Sequence, residues 1–494
     1  MNSVAGSLHR HSAWWREHVS NNYIIDTIEN GYRLPLLAVP EDTFLKNNKS
    51  ALDNSEFVTS EIQKLVQTGA LLFVQDKPTV VNALTVATNA SGKNRLVLDL
   101  RTINPLLLVP SYKYEDVQTA SAYFKKDSVM ATFDLKSGYH HVSIHKSYQQ
   151  YMGLCWNGKY YIFSVCPFGM SVSGLIFTKI VRELVRKWRT AGIAIVMYID
   201  DGIIVAPDKL SLDKAVRVIR KDLLDSGFIV NNEKSHWEAS QTVAWLGFQL
   251  DSKENVFIVP AEKMSRLKKA ITKNLKYAHA CSAREISRTV GKIGSLFVVF
   301  GSIVYVLTKE CTRWISAREN WSNRSRLPIS VVQELEFWIK NIGRLISRPL
   351  EPVVENYTHV IYSDASATGC GAVIAGEDHS EMIHSWTENE KLMSSTWREA
   401  QTILLYIRIH ALRFKGGKLK WYSDNQGVPP ILHKGSMKPD LNLIAMGILQ
   451  LCIEHDIQLS VDWIPRDENA VADTLSKLVD SDDWAIANNV FFNS

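Results

Sequence analysis

Two adjacent carboxylates, Asp200 and Asp201, interrupt an otherwise apolar stretch of the sequence. Residues 193–199 form a continuous apolar run, Gly202 follows the acidic pair, and residues 203–206 resume the run. Two apolar strands around an Asp-Gly sequence are typical of a β-hairpin, so the pattern predicts a turn at Asp200-Asp201-Gly202. Carboxylates held together repel, and they are the ligands that Mg²⁺ prefers. Taken alone, the pair is more simply explained as a solvated turn.

Three further features favour a metal-dependent site. Tyr198 precedes the acidic pair and completes a Tyr-Ile-Asp-Asp motif. Asp134 ends a second predicted strand, residues 129–135, and is followed by Leu-Lys-Ser-Gly-Tyr up to Tyr139. A Pro-Phe-Gly-Met motif at residues 167–170 precedes a predicted helix. These features make a catalytic role for the carboxylates more plausible than a solvated turn.

A second set of acidic residues lies near the C-terminus: Asp364, Glu399, Asp424 and Asp473. Two follow predicted strands and two lie on predicted helices, so all four can converge on one metal cluster. Each also has a structural explanation. Glu399 can close a capping box with Thr396, Asp424 can cap the next helix, and Asp473 can be favoured by a helix dipole. Singly, these structural explanations are preferred.

Length and charge indicate a chain of several modules. The 494 residues predict roughly three domains, and 46% apolar with 22% charged residues excludes a disordered tail protein or a small disulfide scaffold. Residues 261–350 carry a net charge of +11, whereas residues 351–494 carry −9. This change of sign suggests a polyanion partner for the basic block. Solvated helix faces explain the block equally well.

Cysteine usage and apolar run lengths bear on the compartment. The six cysteines form no CxxC pair, which argues against a zinc clip and fits a reducing environment. No signal peptide follows Met1, and the longest apolar stretch, residues 293–308, is shorter than the ~20 residues of a membrane span. We therefore expect an intracellular protein, in cytoplasm or nucleus, that is not secreted and has no membrane partner.

Predicted elements divide the chain into five segments. The second segment contains a basic hairpin with its tip at residues 89–93 and a strand at residues 245–251, and the fourth alternates strands and helices. Pro349 and Pro352 mark a linker. The segments are an N-terminal extension (1–55), a strand-rich region (56–260), a basic helical block (261–350), a mixed α/β module (357–480) and a C-terminal tail (481–494).

In the order of its motifs, the region from the basic hairpin onward resembles reverse transcriptases. After the hairpin come Asp134, Pro-Phe-Gly, Tyr-Ile-Asp-Asp, then Asn232-Glu233-Lys234-Ser235 and Trp245-Leu246-Gly247-Phe248. The resemblance implies an α/β and α+β multidomain fold: a right-hand polymerase with fingers and palm in 56–260 and thumb/connection in 261–350. It also implies an RNA-directed DNA polymerase that takes an RNA template, a DNA primer and dNTPs, with two Mg²⁺ per site, for which Mn²⁺ can substitute.

The family's functional residues map onto this sequence. Asp134 and Asp200 would hold the metals, and Asp201 would support the site. Tyr139 would exclude a ribose 2′-OH, with a core aromatic as the alternative, and Lys234 would protonate pyrophosphate or be a surface lysine. Arg95, and Lys93 with less support, would meet the triphosphate. Phe168 and Gly169 would pack under the nucleotide, and Trp245, Leu246, Gly247 and Phe248 would form the primer grip. Arg266, Lys268, Lys269, Lys273 and Lys276 would face duplex phosphates.

The last module is similar to ribonuclease H. Asp364, Glu399, Asp424 and Asp473 match its acidic set in order, with spacings of 35, 25 and 49 residues. The resemblance implies a second pair of Mg²⁺ ions, held by these four residues, and cleavage of RNA in an RNA–DNA hybrid. Many relatives carry a histidine in the loop before the last aspartate, but residues 463–468 contain none. We therefore expect slow cleavage.

Details fit DIRS-type retrotransposons better than gypsy-like elements, which share the same order. These details include Gly-Tyr-Arg-Leu-Pro at residues 31–35 and Trp-Ile-Pro-Arg at 463–466. That family carries a tyrosine recombinase downstream, so we expect this chain to be a fragment, a truncated copy or one product of a larger element. Two function classes remain: an active enzyme, or a non-catalytic nucleic-acid-binding relic. Seven intact acidic positions favour the enzyme.

Overall fold

Four strands form a sheet, here called the palm sheet, that carries the first acidic group. The computed structural model describes residues 3–88, 92–343, 347–351 and 356–478. Among these, the palm sheet runs in the order His236–Ser240, Val129–Asp134, Asp201–Ala206, Ala194–Tyr198, with antiparallel neighbours. Helices Ser173–Thr190 and Lys209–Asp225 pack against it. Their apolar faces and the inner strand residues share one large core.

A second sheet is built from strands that lie both before and after Val129–Asp134 in the chain. Its strands run in the order Thr43–Phe44, Val80–Thr88, Gly153–Trp156, Lys159–Phe163, Leu71–Val74. Asn94–Asp99 pairs antiparallel with Val80–Thr88 and forms the predicted basic hairpin. Its tip, residues 89–91, lies outside the described residues. The remaining helices here are Lys49–Leu52, Ser55–Gln67, Val117–Ser121 and Lys146–Gln149, with 3₁₀ turns at Asn104–Leu106 and Gly138–His141.

The N-terminal segment packs into the same core. Helices Ser7–Arg10, Ser12–His18 and Asn22–Asn30 contribute buried Leu8 and Trp15 to the cluster that includes Phe228. The Trp15 indole N–H donates to the Ser226 carbonyl oxygen at 2.9 Å, just after helix Lys209–Asp225 ends. Burying these side chains stabilises the fold by about 2 kcal/mol each.

The chain divides into two compact units, Met1–Phe257 with Pro349–Pro352, and Ile258–Arg348 with Val353–Ser494. Among its described residues, the second unit begins with six helices, in the block that was predicted to be helical. Gly301, with φ +63°, separates two short helices inside the apolar stretch of residues 293–308. The helices are Ala261–Lys276, Ala283–Gly294, Phe297–Phe300, Ile303–Val306, Lys309–Ser316 and Ile329–Asn341, and Cys281–Ser282 pairs with Arg324–Ser325.

A five-stranded sheet organises the rest of the second unit. Its order is Met382–Ser385, Gly369–Ile374, His359–Ala365, Lys418–Ser423, Gln458–Trp463, with the last two pairings parallel. Helices Ser395–Ile409 and Pro439–Glu454 pack together over a separate core. Glu388–Lys391, Val428–Lys434, the 3₁₀ turn Arg466–Asn469 and Ala470–Lys477 complete it. Residues 479–494, which include the predicted tail, lie outside the described residues.

Two observations concern the whole described chain. All six cysteines are unpaired, and five of them are buried. Within the described ranges, no helix combines the length and apolar character that a membrane crossing requires.

Candidate active sites

The acidic hairpin is present, but its turn lies one residue earlier than predicted. Tyr198 pairs with Asp201, so Ile199 and Asp200 form the two-residue turn, while Asp201 and Gly202 belong to the second strand. A Cβ on Gly202 would lie 2.4 Å from the Phe133 ring. The glycine therefore permits close packing inside the palm sheet, and the prediction of a turn at Asp200-Asp201-Gly202 was wrong. Ile199 has φ +57°, a strained conformation for a β-branched residue.

Asp134 faces the second strand of this hairpin. It lies opposite Asp201 in the antiparallel register, and the Asp200 carbonyl oxygen accepts the Leu135 N–H at 2.9 Å. The Asp134 carboxylate is buried, with Asn231 Nδ2 at 2.9 Å and Lys234 Nζ at 3.4 Å. The segment that follows helix Lys209–Asp225 therefore holds Asp134. Asn231 was missed from sequence because it precedes the motif that begins at Asn232.

Burial and neighbouring carboxylates raise the pKa of both Asp200 and Asp201. Burial raises the pKa of Asp200, and Asp134 raises it further while Lys234 and Arg95 lower it. Burial, then Asp200 and Asp134, raise the pKa of Asp201 to about 6. Such repulsion is what a divalent cation relieves, and carboxylate oxygens suit Mg²⁺ or Mn²⁺. The donor set of this site therefore fits the metal ions that the resemblance implies.

Aromatic residues surround the acidic hairpin. The Tyr139 ring lies 5.4 Å from the Phe168 ring and 5.8 Å from the Phe177 ring, between centroids. The Arg95 guanidinium lies 5.5 Å from the Phe168 centroid. Burial, and then the charge of Asp200, raise the pKa of Tyr139. The predicted nucleotide-binding residues Arg95, Tyr139 and Phe168 therefore lie close together. Gly169 belongs to the same group because it directly follows Phe168.

Gly169 explains how that loop approaches the basic hairpin. Its φ is +105°, and a Cβ there would lie 2.6 Å from the Leu98 carbonyl oxygen. Only glycine tolerates both conditions. Lys93 is exposed and directly precedes strand Asn94–Asp99 of the same hairpin.

The predicted primer-grip residues form a hairpin of their own. Thr242–Trp245 pairs with Phe248–Asp251, and Leu246 and Gly247 have φ +47° and +76°, as a two-residue turn requires. The expected single strand over residues 245–251 was therefore wrong, because the turn falls inside it. Trp245 and Phe248 are buried.

A tighter acidic group lies in the second unit. Asp364, Glu399 and Asp424 offer carboxylate oxygens within 4.8 Å of one another, a closeness that only this group of three reaches within the described residues. Strand His359–Ala365, helix Ser395–Ile409 and the end of strand Lys418–Ser423 supply them. Burial raises the pKa of Glu399 well above its usual value, and Asp364 and Asp424 add to the rise. This oxygen-only donor set also fits a hard divalent cation.

Glu399 contacts the sheet instead of capping its helix. Its carboxylate accepts the Ala365 N–H at 3.1 Å and the Ser423 hydroxyl at 3.2 Å. The helix is capped by Ser394, whose hydroxyl accepts the Trp397 N–H. The capping-box explanation for Glu399 is therefore wrong.

Asp473 does not join the other three carboxylates in the close group. Arg466 donates to its Oδ1 at 2.6 Å, and Lys477 donates to its Oδ2. These two cations lower the pKa of Asp473. Arg466 lies in the loop where a histidine was expected and absent, and its own pKa is raised by Asp473 and also by Asp364 and Asp424. Sequence interpretation missed Arg466, because nothing in the loop indicates which acid it meets.

The basic helix Ala261–Lys276 borders an open groove of about 540 Å³. Lys268 and Lys269 line this groove together with Met264, Ser265 and Thr272. Arg266 instead pairs with Glu262, and Lys273 lies 3.8 Å from Glu285. Of the five residues predicted to face duplex phosphates, Arg266 and Lys273 thus contact acidic residues of the protein, and Lys268 and Lys269 face the groove.

Comparison with known proteins identifies the domain around the first site. Residues 85–250, about a third of the chain, match the family described as "Reverse transcriptase (RNA-dependent DNA polymerase)". The chain is 23% identical over 440 residues to the Drosophila melanogaster Retrovirus-related Pol polyprotein from transposon gypsy, and 22% over 403 residues to that from transposon opus. These matches cover 86% and 79% of this chain. The chain spans about two fifths of each polyprotein, 40% and 38%.

Solved structures support the fold. The foamy viral protease-reverse transcriptase dRH in complex with double-stranded DNA has a TM-score of 0.54 at 18% identity, covering 92% of this chain and 81% of that chain. The same viral protein in complex with an RNA/DNA hybrid also scores 0.54, at 16% identity, covering 92% and 62%. The predicted multidomain polymerase fold is confirmed. Residues 85–250 thus match the reverse transcriptase family, and most of the chain is similar to part of retrotransposon Pol polyproteins.

Proposed function

We propose that this chain is an RNA-directed DNA polymerase that copies retroelement RNA into DNA. Its reverse transcriptase domain, residues 85–250, contains every carboxylate of the first acidic group. The observation that carries the proposal is the placement of Asp134 opposite Asp201, with Asp200 in the adjoining turn. We further propose that its partners are an RNA template, a DNA primer and dNTPs.

Each residue of the first site has a distinct role. Asp134 and Asp200 would hold the metal ions, which when bound neutralise the triphosphate and activate the attacking 3′-hydroxyl. Asn231 fixes the Asp134 carboxylate, and Asp201 supplies further negative charge. Arg95, with Lys93 beside it in the hairpin, attracts the triphosphate.

The aromatic residues and the second hairpin position the substrates. The Tyr139 ring, packed on Phe168, occupies the space that a ribose 2′-OH would need. Gly169 lets the loop pack closely under the nucleotide and template. Lys234, which contacts Asp134, is the proposed proton donor to the leaving pyrophosphate. Trp245, Leu246, Gly247 and Phe248 hold the primer end as a short, rigid hairpin.

We propose a ribonuclease H activity for the second site. Asp364, Glu399 and Asp424 would hold divalent ions in their close group, and Asp473 would complete the set once it leaves Arg466 and Lys477. The expected substrate is the RNA strand of an RNA–DNA hybrid. The mutual repulsion of the three buried carboxylates supports this site, because a cation offsets it.

The organisation of the chain follows from these assignments. We propose an N-terminal extension (1–55), fingers and palm (56–260), thumb/connection (261–350), ribonuclease H (357–480) and a tail (481–494).

Within the retrotransposons we place the chain among DIRS-type elements, on the motifs at residues 31–35 and 463–466. We place it in cytoplasm or nucleus, because its six cysteines are unpaired. Mg²⁺ is the proposed ion, with Mn²⁺ as a substitute.

Primer extension on poly(rA)/oligo(dT) with Mg²⁺ tests the polymerase directly. The wild-type protein should extend the primer, and Asp200→Asn should lower extension by orders of magnitude because a charged metal ligand is lost. Lys221→Gln, an exposed substitution on helix Lys209–Asp225, is the matched control. A wild-type protein that never extends would instead support a nucleic-acid-binding relic.

A further inference from the structure

Residues 112–115, Tyr-Lys-Tyr-Glu, lie along the outermost strand of the palm sheet. We call this segment the strap. It follows the basic hairpin in the chain and precedes helix Val117–Ser121, which Asp116 caps. The strand that it meets, Ala194–Tyr198, leads directly into the acidic turn at Ile199 and Asp200.

Glu115 accepts a backbone hydrogen bond from the outer edge of that strand. Its Oε2 accepts the Met197 N–H at 3.2 Å. Arg189 donates to both Glu115 oxygens at 2.7 and 2.8 Å, and also to the Ile195 carbonyl oxygen at 2.7 Å. An edge strand presents unpaired backbone groups that need partners. A bidentate ion pair therefore holds the edge strand in place over the residues just before the turn.

Tyr114 supports the next residue along, Tyr198. Their ring centroids are 5.5 Å apart, and the Tyr114 hydroxyl shares a 2.7 Å hydrogen bond with the Tyr112 hydroxyl. A Cβ on Gly174 would lie 2.3 Å from the Tyr114 hydroxyl oxygen, so helix Ser173–Thr190 leaves space for this tyrosine at that position. The same helix anchors the strap a second time, since Arg182 donates to the Lys113 carbonyl oxygen at 2.6 Å.

The strap explains how the strained turn persists. Ile199 is a β-branched residue with φ +57°, and such a conformation survives only where its surroundings over-determine it. On the other side of the turn, Asp201 is held by its pairing with Asp134. On the Tyr198 side of the turn, Glu115 accepts a backbone hydrogen bond from Met197 and Tyr114 packs against the Tyr198 ring.

We infer that the strap is a positioning element for the acidic turn, which fixes Tyr198 and Asp200 for nucleotide addition. This inference rests on the proposed polymerase function. Glu115 and Tyr114 act through the edge strand and are positioning residues rather than catalytic ones. Loss of the strap should therefore slow the chemical step without weakening dNTP binding, because the predicted triphosphate ligands lie on other segments.

The first experiment measures steady-state extension by Glu115→Ala and Tyr114→Ala. Both should lower kcat about tenfold or more, because small displacements of reacting groups are costly, while KM for dNTP stays within about twofold. Hybrid cleavage by the second unit should stay at the wild-type level. The matched control is Glu183→Gln. Glu183 lies on the same helix as Arg189, and its carboxylate pairs with Arg186 at 2.7 Å. It should leave kcat unchanged.

A charge swap separates positioning from stability. Glu115→Arg combined with Arg189→Glu restores an ion pair but provides no acceptor for the Met197 N–H. The swap should recover the melting temperature lost in Glu115→Ala but should not recover kcat. Full recovery of kcat by the swap, or wild-type kcat in both alanine variants, would overturn the inference.

Amide hydrogen exchange decides the same question without activity. In Glu115→Ala, the Met197 amide should exchange faster than in the wild type because it loses its acceptor, whereas the amides of strand Val129–Asp134 should not. Unchanged exchange at Met197 would contradict the strap. A wild-type protein that fails to extend primers refutes the polymerase proposal alone, since exchange still tests the strap.

Discussion

Asp134 and Asp201 lie directly opposite each other on adjacent antiparallel strands of the palm sheet. Like charges at such cross-strand positions destabilise a sheet. The sheet therefore carries a cost at this position that Asn231 and Lys234 do not remove, because burial, and then the charges of Asp200 and Asp134, raise the pKa of Asp201 to about 6. Sites that tolerate such a cost are typically functional.

The first prediction concerns stability of the cation-free protein. The folded-state pKa of Asp201, about 6, exceeds its ordinary value of 3.8, so the folded protein binds this proton more tightly than the unfolded chain. The stabilisation is full below pH ~4 and is lost as pH rises through ~6. Asp201→Asn should therefore raise the free energy of unfolding at pH 8 by roughly 1 kcal/mol, after allowance for solvent screening. Denaturant titration in EDTA measures it.

Adding Mg²⁺ provides the control for that experiment. The cation should remove most of the difference between Asp201→Asn and the wild type, because it neutralises the same repulsion. An unfolding free energy of wild type that does not change between pH 4 and pH 8 in EDTA would contradict the electrostatic account.

Tyr139 should determine sugar selectivity. Tyr139→Ala opens space beside Phe168 for a 2′-OH, so the ratio of kcat/KM for rNTP over dNTP should rise by about one to two orders of magnitude. Tyr139→Phe keeps the ring and should keep the ratio. Single-nucleotide incorporation assays with matched rNTP and dNTP give both values. Equal ratios in Tyr139→Ala and wild type would mean that the ring is only core packing.

The groove beside helix Ala261–Lys276 should bind duplex phosphates. Reversing Lys268 and Lys269 to Glu should weaken duplex binding uniformly across sequences and flatten its salt dependence, because fewer counterions are released. Lys214→Glu with Lys221→Glu makes the same change of charge on helix Lys209–Asp225 and should have little effect. Affinity measured by fluorescence anisotropy at several salt concentrations tests this. Equal losses in the two double variants would indicate a general charge effect.

Arg466 should assist the second site in place of the expected histidine. Arg466 donates to Asp473, and Asp473, Asp364 and Asp424 all raise the pKa of its guanidinium, so we expect this cation to attract a phosphate of the hybrid at the acidic group. Arg466→Ala should lower cleavage of hybrid RNA about tenfold beyond an already slow wild-type rate, and Arg466→Lys should restore part of it. Lys477→Ala, which removes the other cation on Asp473, is the control. Cleavage that is unchanged in Arg466→Ala would assign the arginine to structure alone.

Particular residues explain what sequence could and could not predict. Long apolar runs predicted both strands of the acidic hairpin, but the Asp-Gly signal placed the turn too late. Gly202 serves packing against Phe133, and close packing leaves no local sequence signal. The turn at Leu246 and Gly247 was missed and a continuous strand was predicted instead, because leucine rarely adopts the positive φ that this turn requires.

The acidic residues were predictable from their order, whereas their environments were not. Spacing indicated Asp364, Glu399 and Asp424, which do converge. It could not indicate that Asp473 is held by Arg466 and Lys477, because that depends on how a loop folds back onto a helix. Asn231 and the strap were missed likewise, since their contacts join residues about 80 to 100 positions apart.

One assay tests the central claim most directly: a single labelled RNA–DNA hybrid on which primer extension and RNA cleavage are both followed with Mg²⁺. The wild type should extend the primer and cut the RNA. Asp200→Asn should lose extension but keep cleavage, and Asp424→Asn should do the reverse, because the two acidic groups lie in different units. Extension by Asp200→Asn above about a tenth of the wild-type rate would contradict the account, since a lost metal ligand costs far more than tenfold.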